Sequence, residues 1–559
     1  MEKRLILAIV LSFVILLVFQ AVFFKQPPAA KDVGTNPPAA TATQAAPLPS
    51  SGQAAVAAKP EAAAPAPEGP ASAAIPATTG PAESEVAGAR ANQSVTVETS
   101  LFKAVWNNTG AVLRSWKLSK YKDDAGDPLE MVYPGPVEGN GFPFSLAMED
   151  AELAGRLNNA PYAVPVTSLK VRDGESGQVR FEYADGRGTR VEKVFTFHGG
   201  RYDFDVAISV WRGGKKAEAL VLWGPGLGIP PTPEELKKRF GSSTGIAVFS
   251  SGKAYRIDER KYNPQQNAFN FVEWAAFENN YFASIFLNAG PTGTAVFLKE
   301  AKENAAPQYY LEVSLPNRVF IGPKEYTLIK TLGPNTKALV NFGFFGSIAE
   351  VLLIIIRWIH GFVPNWGFAI IVLTFIIKVI FFPLTYSSTK SMAKMQEIQP
   401  KLKALRNKYK NAKRDIAQRR AMNEEMMKLY KEHGINPAGG CLPMLIQIPV
   451  FWGLFRMLVV AVEFRHSPFI FWIKDLSLKD PTYITPILMG VTQFISQKMT
   501  PTAGDSSQQK MMLIMPVVMT IFFINFQSGL VLYWLTSNVL QIGQQYIMNR
   551  MMLNKKRVQ

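Results

Sequence analysis

Residues 366–384 read WGFAIIVLTFIIKVIFFPL. An apolar run of this length, at about 1.5 Å per helical residue, covers the roughly 30 Å hydrocarbon core of a bilayer. One residue breaks the pattern, Lys378. A lysine at the centre of a spanning helix costs roughly 2.5–3.5 kcal/mol on insertion scales, so a charge kept there usually faces other helices or a wet cavity. The alternative is snorkelling. Leu384 lies six residues on, about 9 Å along a helix, and a lysine stem covers much of that distance. The stretch points to a membrane fold and makes Lys378 the first functional candidate.

Downstream, residues 385–440 change character. From 386 to 440 there are 13 Lys/Arg against 5 Asp/Glu. Met392, Met395, Ile398, Leu402, Leu405 and Tyr409 recur at three- or four-residue spacing, which draws one apolar stripe along a helix. Ile416, Met422, Met426 and Leu429 suggest a second helix, and together an antiparallel hairpin. Pro400 should kink the first of them. The plainer alternative is a solvated loop whose charge only orients the spans. Further apolar runs follow at 442–462, 483–499, 511–526 and 529–548, so residues 442–548 read as spans 3–6. A basic tail at 549–559 carries Arg550, Lys555, Lys556 and Arg557.

Upstream, residues 342–363 are apolar but hold Glu350, Arg357 and His360. Glu350 and Arg357, seven apart, share a helix face, which favours an amphipathic helix lying on the membrane. If that segment spanned, every later loop would change sides and the most basic one would land outside, against the positive-inside rule. Residues 92–335 are different material. Apolar and polar residues alternate through 201–210, the period of a half-buried strand. Gly199-Gly200 reads as a hairpin turn after a strand at 190–197. Other strand-like runs lie at 94–99, 111–118, 178–183, 294–298 and 309–314. The expected fold here is a large antiparallel β-sandwich. Residues 25–91 are rich in Ala and Pro and too poor in large apolar residues to bury a core, so they read as a disordered linker. Residues 1–24 open with Lys3 and Arg4 before a long apolar run without a cleavage site, an expected uncleaved anchor.

The fold class expected is therefore a polytopic α-helical membrane protein: six spans, five of them forming a C-terminal core, with a large β-domain outside. The N-terminus, the basic hairpin, the loop at 500–510 and the tail fall in the cytoplasm. The β-domain and the loop at 463–482 fall on the far side. Composition agrees. The formal charge of +17 over 559 residues would suggest nucleic acid in a soluble protein. Placed beside apolar spans, it orients helices and attracts anionic surfaces such as lipid headgroups or ribosomal RNA. Cys441 is the single cysteine, and four histidines are scattered without ligand spacing. No disulfide framework, metal or cofactor is expected. No phosphate-binding GxxxxGK[ST] loop occurs.

No Asp or Glu lies within the five C-terminal apolar runs, which argues against proton-coupled pumping. The polar residues there are neutral apart from Lys378, Arg456 and, at the end of the fourth span, Lys498. Thr374 precedes Lys378 by one turn on the same face. Gln447 is in the third span. Gln493 and Gln497 stack at i,i+4 in the fourth. Tyr533, Ser537 and Gln541 form one stripe in the last, with Trp534 and Asn538 on a neighbouring one. Any one of these alone suits an interhelical contact. With Lys378 they allow a wet, positive groove toward the cytoplasm. Arg456 sits nearer the outer end on a face shared with Glu463, and reads as snorkelling or paired.

Residues 436–449 read NPAGGCLPMLIQIP. SPFIFWIKDLS and YITPILMGVTQFISQKM lie in 467–499, and QQKMMLIMP and SGLVLYWLTSN in 508–538. In this order the motifs strongly resemble the YidC/Oxa/Alb membrane protein insertases, from about residue 342 to 550. The anchor, linker and β-domain resemble the long Gram-negative form of YidC, whose periplasmic β-sandwich is similar to sugar mutarotases. The resemblance implies an insertase and chaperone of the bacterial inner membrane, working alone or with the Sec translocon and its accessory proteins. Its implied partners are nascent membrane proteins, the ribosome and membrane lipids. It also implies that a positive groove, open to cytoplasm and lipid but closed to the periplasm, receives the polar part of a client. The family's groove residue is usually arginine. Lys378 keeps the charge but loses the planar fork that grips carboxylates. Thr374 and Trp534 match family positions associated with substrate contact, and the hairpin with Leu402, Leu405 and Tyr409 matches a functionally required cytoplasmic one. Two other readings compete: an anion transporter using Lys378, and a membrane-anchored carbohydrate enzyme. The second is weak, because the β-region holds only His198 where mutarotases use paired histidines.

Overall fold

Strand Thr189–His198 shows how the β-region is built. Its residues alternate between buried and half-buried positions along TRVEKVFTFH, so Val191, Phe195 and Phe197 point inward. It pairs antiparallel with Asp203–Arg212. The Gly199-Gly200 turn between them has a steric reason. Gly200 has φ +78°, and a Cβ on Gly199 would stand 1.8 Å from the Arg172 carbonyl oxygen. The second strand begins at Asp203, two residues after the alternation in the sequence starts.

The computed structural model describes residues 90–134, 141–228, 245–258, 268–288, 293–300, 308–409, 415–435, 442–500 and 506–558. The expected anchor at 1–24 and nearly all of the linker at 25–91 lie outside these. One sheet runs Pro128–Glu130, Val112–Lys122, Phe102–Asn107, Ser94–Glu98, Ser168–Lys170. The larger runs Ser145–Ala147, Leu220–Trp223, Gln308–Ser314, Gly293–Glu300, Ala268–Glu278, Phe282–Leu287, Arg318–Pro323, Asp203–Arg212, Thr189–His198, Ser176–Ala184, with three short strands off this path. The sheets pack face to face through aromatic rings. Trp106 meets Phe195 at 4.1 Å between centroids, Trp116 meets Phe204 at 5.3 Å, and Phe102 meets Phe197 at 6.3 Å. Among the described residues the arrangement departs from a wholly antiparallel one at one place: Ser94–Glu98 pairs parallel with Ser168–Lys170. Parallel pairing needs a crossover rather than a hairpin. The chain between those strands includes the helix α1 (Ala151–Asn159), whose N-terminus is capped by the Asp150 side chain.

The helices that follow are α2 (Tyr326–Thr331), α3 (Gly346–His360), α4 (Trp366–Glu397), α5 (Gln399–Lys408), α6 (Ile416–Glu432), α7 (Leu442–Val460), α8 (Ile484–Met499), α9 (Ser506–Phe523) and α10 (Ser528–Val558). Among the described residues α4 is the helix long and apolar enough to cross a membrane, and Ile446–Val460 and Met512–Phe523 are shorter apolar stretches. The six spans expected from the sequence thus rest on hydropathy and loop charge, not on helix length alone. The kink expected at Pro400 is a break one turn earlier. α4 ends at Glu397, and α5 starts with Pro400 in its first turn, where proline's fixed φ and missing N–H are tolerated.

Helix α3 has three faces rather than two. Ala349, Leu352, Leu353, Ile356 and Ile359 are buried, and the helix packs chiefly on α7. Glu350 and Arg357 turn toward α2: Glu350 accepts from the Tyr326 hydroxyl, and Arg357 pairs with Glu325 and, at 3.5 Å, with Glu463. Val351, Ile354 and Trp358 are exposed apolar side chains.

In the basic hairpin the apolar stripe is spent internally. Met395, Ile398, Leu402 and Ile435 form a small buried cluster closed by Met426, Leu429 and Tyr430. Leu405 is half-buried. The Tyr409 hydroxyl donates to Glu425 at 2.8 Å, and Lys408 reaches the same carboxylate at 2.7 Å.

Candidate functional site around Lys378

Helix α10 is the hub of the C-terminal helices. It packs closely on α8 and α4 and touches α7. Its polar residues are spaced so that successive turns face different partners. Tyr533 is hydrogen-bonded to Gln447 of α7. One position on, the Trp534 indole N–H donates to Gln493 Oε1 of α8 at 3.3 Å. Asn538 Nδ2 donates to the Met489 carbonyl of α8 at 3.1 Å, with Thr492 Oγ1 at 3.4 Å. Gln541 turns to α4, where its Oε1 accepts from Lys378 Nζ at 3.0 Å.

Five of the residues singled out by sequence, Gln447, Gln493, Tyr533, Trp534 and Asn538, are thereby tied to one helix. Thr374 is not. It is 1% exposed, and its hydroxyl donates to the Ile370 carbonyl of its own helix at 2.6 Å. Gln497 Oε1 is buried without a protein partner, as are Gln544 Nε2 and Gln545 Oε1 farther along α10. The partner of Lys378, Gln541, is one of the polar residues that the sequence places on a stripe of the last apolar run. That stripe, Tyr533, Ser537, Gln541, places an amide eight positions, about two turns, beyond Tyr533. Leu402, Leu405 and Tyr409 belong to the hairpin and its own core, as described above.

Arg456 belongs elsewhere. Its guanidinium donates to the Asn341 carbonyl at 2.5 Å, in the segment that leads from the β-domain into α3. Glu463, which shares its helix face in sequence, pairs with Arg357 instead.

The outer end of the group is tied by Asp480, which is fully buried. Its Oδ1 accepts from the backbone and hydroxyl of Thr482, and its Oδ2 from those of Thr485. Burial alone would raise its pKa, but the hydrogen bonds from Thr485 and Thr482 hold it down, at about 2. Beside it, Ser528 N donates to the Leu478 carbonyl at 2.7 Å and Gly529 N to that of Leu476 at 2.9 Å. The starts of α8 and α10 are thus held to one loop. Toward the other end the polar atoms collect: Lys378, Gln541, Gln497, Gln544 and Gln545. Around the whole group the surface is apolar, with Ile487, Val491 and Ile495 on α8 and Val517, Val518 and Ile521 on α9 all exposed. Patches of this extent mark a protein or membrane contact.

The chain also matches known families. Residues 94–355 match the model of the YidC periplasmic domain, and 358–556 that of the 60Kd inner membrane protein. It is 36% identical to the membrane protein insertase YidC of Syntrophus aciditrophicus, covering 98% of this chain and all of that one. The YidC of Geobacter sulfurreducens is 38% identical over 81% of this chain and 85% of its own. A crystal structure of an active YidC insertase with its first transmembrane domain resolved is 22% identical, covers 81% of this chain and 92% of that chain, and superposes with a TM-score of 0.36. With the two family models falling in order on the β-rich and helical parts, and with relatives aligned along nearly the full length, this chain belongs to the YidC family of membrane protein insertases.

Proposed function

We propose that the chain inserts inner-membrane proteins and helps them fold, alone or with the Sec translocon, by receiving their polar segments at Lys378. The observation that carries this reading is the environment of that lysine. Its ammonium is bonded to a neutral amide, and no acidic residue lies in the apolar runs around it. A charge so placed keeps its field for a visitor, and that field is weakly screened away from water. In this reading Gln447, Gln493, Gln497, Tyr533, Trp534 and Asn538 are further polar contacts for the client, with Thr374 one turn before Lys378 on its helix. A client's hydrophilic tail or loop enters from the cytoplasm, which lowers its cost of leaving water. Its apolar segment then moves along the exposed faces of α8 and α9 into lipid. The relatives' work is insertion, not catalysis of a reaction.

The reading includes six spans, with both termini, the basic hairpin and the tail in the cytoplasm and the β-domain in the periplasm. Loop charge supports this side assignment. The hairpin exposes Lys401, Lys403, Arg406 and Arg420, a surface suited to the polyanionic ribosome, and contacts of that kind weaken with salt.

The test is insertion into liposomes containing the purified chain, followed by protease protection of short clients with acidic tails. Lys378→Arg keeps insertion and Lys378→Glu abolishes it. Normal insertion by the Glu variant, or solute flux without client insertion, overturns the reading.

A further inference from the structure

We propose that Gln541 is the specificity-determining partner of Lys378: a neutral latch that orients the ammonium without neutralising it, so that a single client carboxylate can take its place. The inference rests on the reading of Lys378 above and deepens it.

An ammonium has three N–H donors and no acceptor. Lys378 Nζ gives one of them to Gln541 Oε1 at 3.0 Å. The bond joins α4 to α10, two helices that pack against each other. It therefore fixes where the flexible lysine stem ends. The amide oxygen does this with a partial charge only. A glutamate at the same place would offer the same reach and would form an ion pair, leaving nothing for a visitor. A leucine would leave the ammonium unplaced. An amide is the side chain that both positions the charge and keeps it available. The neighbours agree. Tyr533, Trp534 and Asn538 of α10 are engaged with α7 or α8, Tyr533 with Gln447, Trp534 with Gln493 and Asn538 with Met489 and Thr492, while Gln544 and Gln545 bring amides, not charges, to the same end of the helix. No carboxylate occurs on α7, α8, α9 or α10. An anionic oxygen that competes with Gln541 for the ammonium thus comes from outside these four helices, and the client chemistry it fits is a carboxylate in the translocated tail. The exchange breaks a hydrogen bond to a neutral acceptor and makes a charge-assisted one, which is roughly twice as strong.

The test uses the full chain in liposomes and two clients that differ only by Asp or Asn in the translocated tail. The readout is the ratio of their insertion yields, which a general folding defect does not move. The wild-type chain should prefer the acidic tail by about tenfold, the gap between a charge-assisted and a neutral hydrogen bond. Gln541→Glu should bring the ratio to about one by pairing with Lys378 internally. Lys378→Gln should do the same by removing the charge. The double variant Lys378→Gln with Gln541→Lys reverses the pair, ammonium on α10 and amide on α4, and should restore the preference. If Lys378→Gln alone keeps the preference, the reading of Lys378 itself fails. If Lys378→Gln loses it but Gln541→Glu keeps it, that reading stands and the latch is wrong. If Gln541→Glu inserts neither client, the reversed pair decides: a restored preference supports the latch, and equal insertion of both clients overturns it.

Discussion

A lone charge in an apolar run is legible because its cost is local, and Lys378 could be picked from sequence for that reason. A lone charge in an alternating strand is not. Lys193 lies on the inward face of Thr189–His198 and is fully buried. Its Nζ donates to the carbonyls of Gly110 at 2.7 Å and Phe144 at 2.8 Å, so it stitches the strand to two loops between the sheets. In sequence it is one more lysine among glutamate and valine. Its inward direction follows only once the register is known. Burial pushes its pKa down, from 10.5 to about 7. The unfolded chain then binds more protons than the folded one between those values, so stability rises with pH across that window. The β-domain should therefore gain hydrogen-exchange protection, measured in Thr189–His198 of the full chain, as pH goes from about 7 toward 10. Lys193→Met keeps the stem and removes the titration, so its protection should be flat over the same window. A slope that survives the substitution assigns the effect to another group. For Gln541 the stripe was legible but the partner was not. A glutamine on a helix stripe does not reveal which helix it will face.

At the scale of elements, periodicity found the strands and the hairpin helices, while their partners depended on packing. The stripe through Met395, Ile398 and Leu402 marks a helix face, but its spacing does not say what covers it. The structure closes it against Met426, Leu429 and Tyr430 within the hairpin. A stripe wide enough to hold two short helices together has little left to offer outside. Leu402, 4% exposed, is thus a fold residue. Leu402→Asp buries an unpaired carboxylate and should cost roughly 3 kcal/mol or more, enough to open so small a cluster. Limited proteolysis should cut residues 385–440 faster in this variant. Replacing Lys555, Lys556 and Arg557 with Gln should leave that cleavage rate unchanged and lower ribosome co-sedimentation at moderate salt. Parallel loss of hairpin protection and ribosome binding in both variants would show that the tail and hairpin act as one unit.

At the scale of the whole molecule, the division into β-rich and helical material was plain from composition, but the joint between them was not. Besides a shared apolar core, it includes polar contacts drawn from segments far apart in the chain. Arg357 of α3 links Glu325 before α2 to Glu463 after α7. Tyr326 holds Glu350. Arg465 donates to the Lys122 carbonyl at 2.8 Å, and His466 stands 3.4 Å from Asp124. The joint has an inner and an outer part, and deletion can separate them. Removing most of residues 92–290 takes away Lys122 and Asp124 but spares Glu325, Tyr326 and the whole of α3. The outer contacts are exposed and weak, so this deletion should leave insertion of short clients largely intact. Arg357→Met leaves the β-domain in place but strands Glu463, whose side chain is 10% exposed. Removing one partner of a largely buried pair is destabilising, and here the cost falls on α3 and on α7 beneath it. The single substitution should thus impair insertion and lower the thermal midpoint of the helical core more than loss of the greater part of the β-domain does. Both variants can be compared in one set of liposomes, with protease protection of a short client and thermal unfolding in matched detergent. A deletion that folds and localises but inserts nothing, beside an Arg357→Met chain that works normally, would place the essential contact in the β-domain rather than in the Arg357 joint.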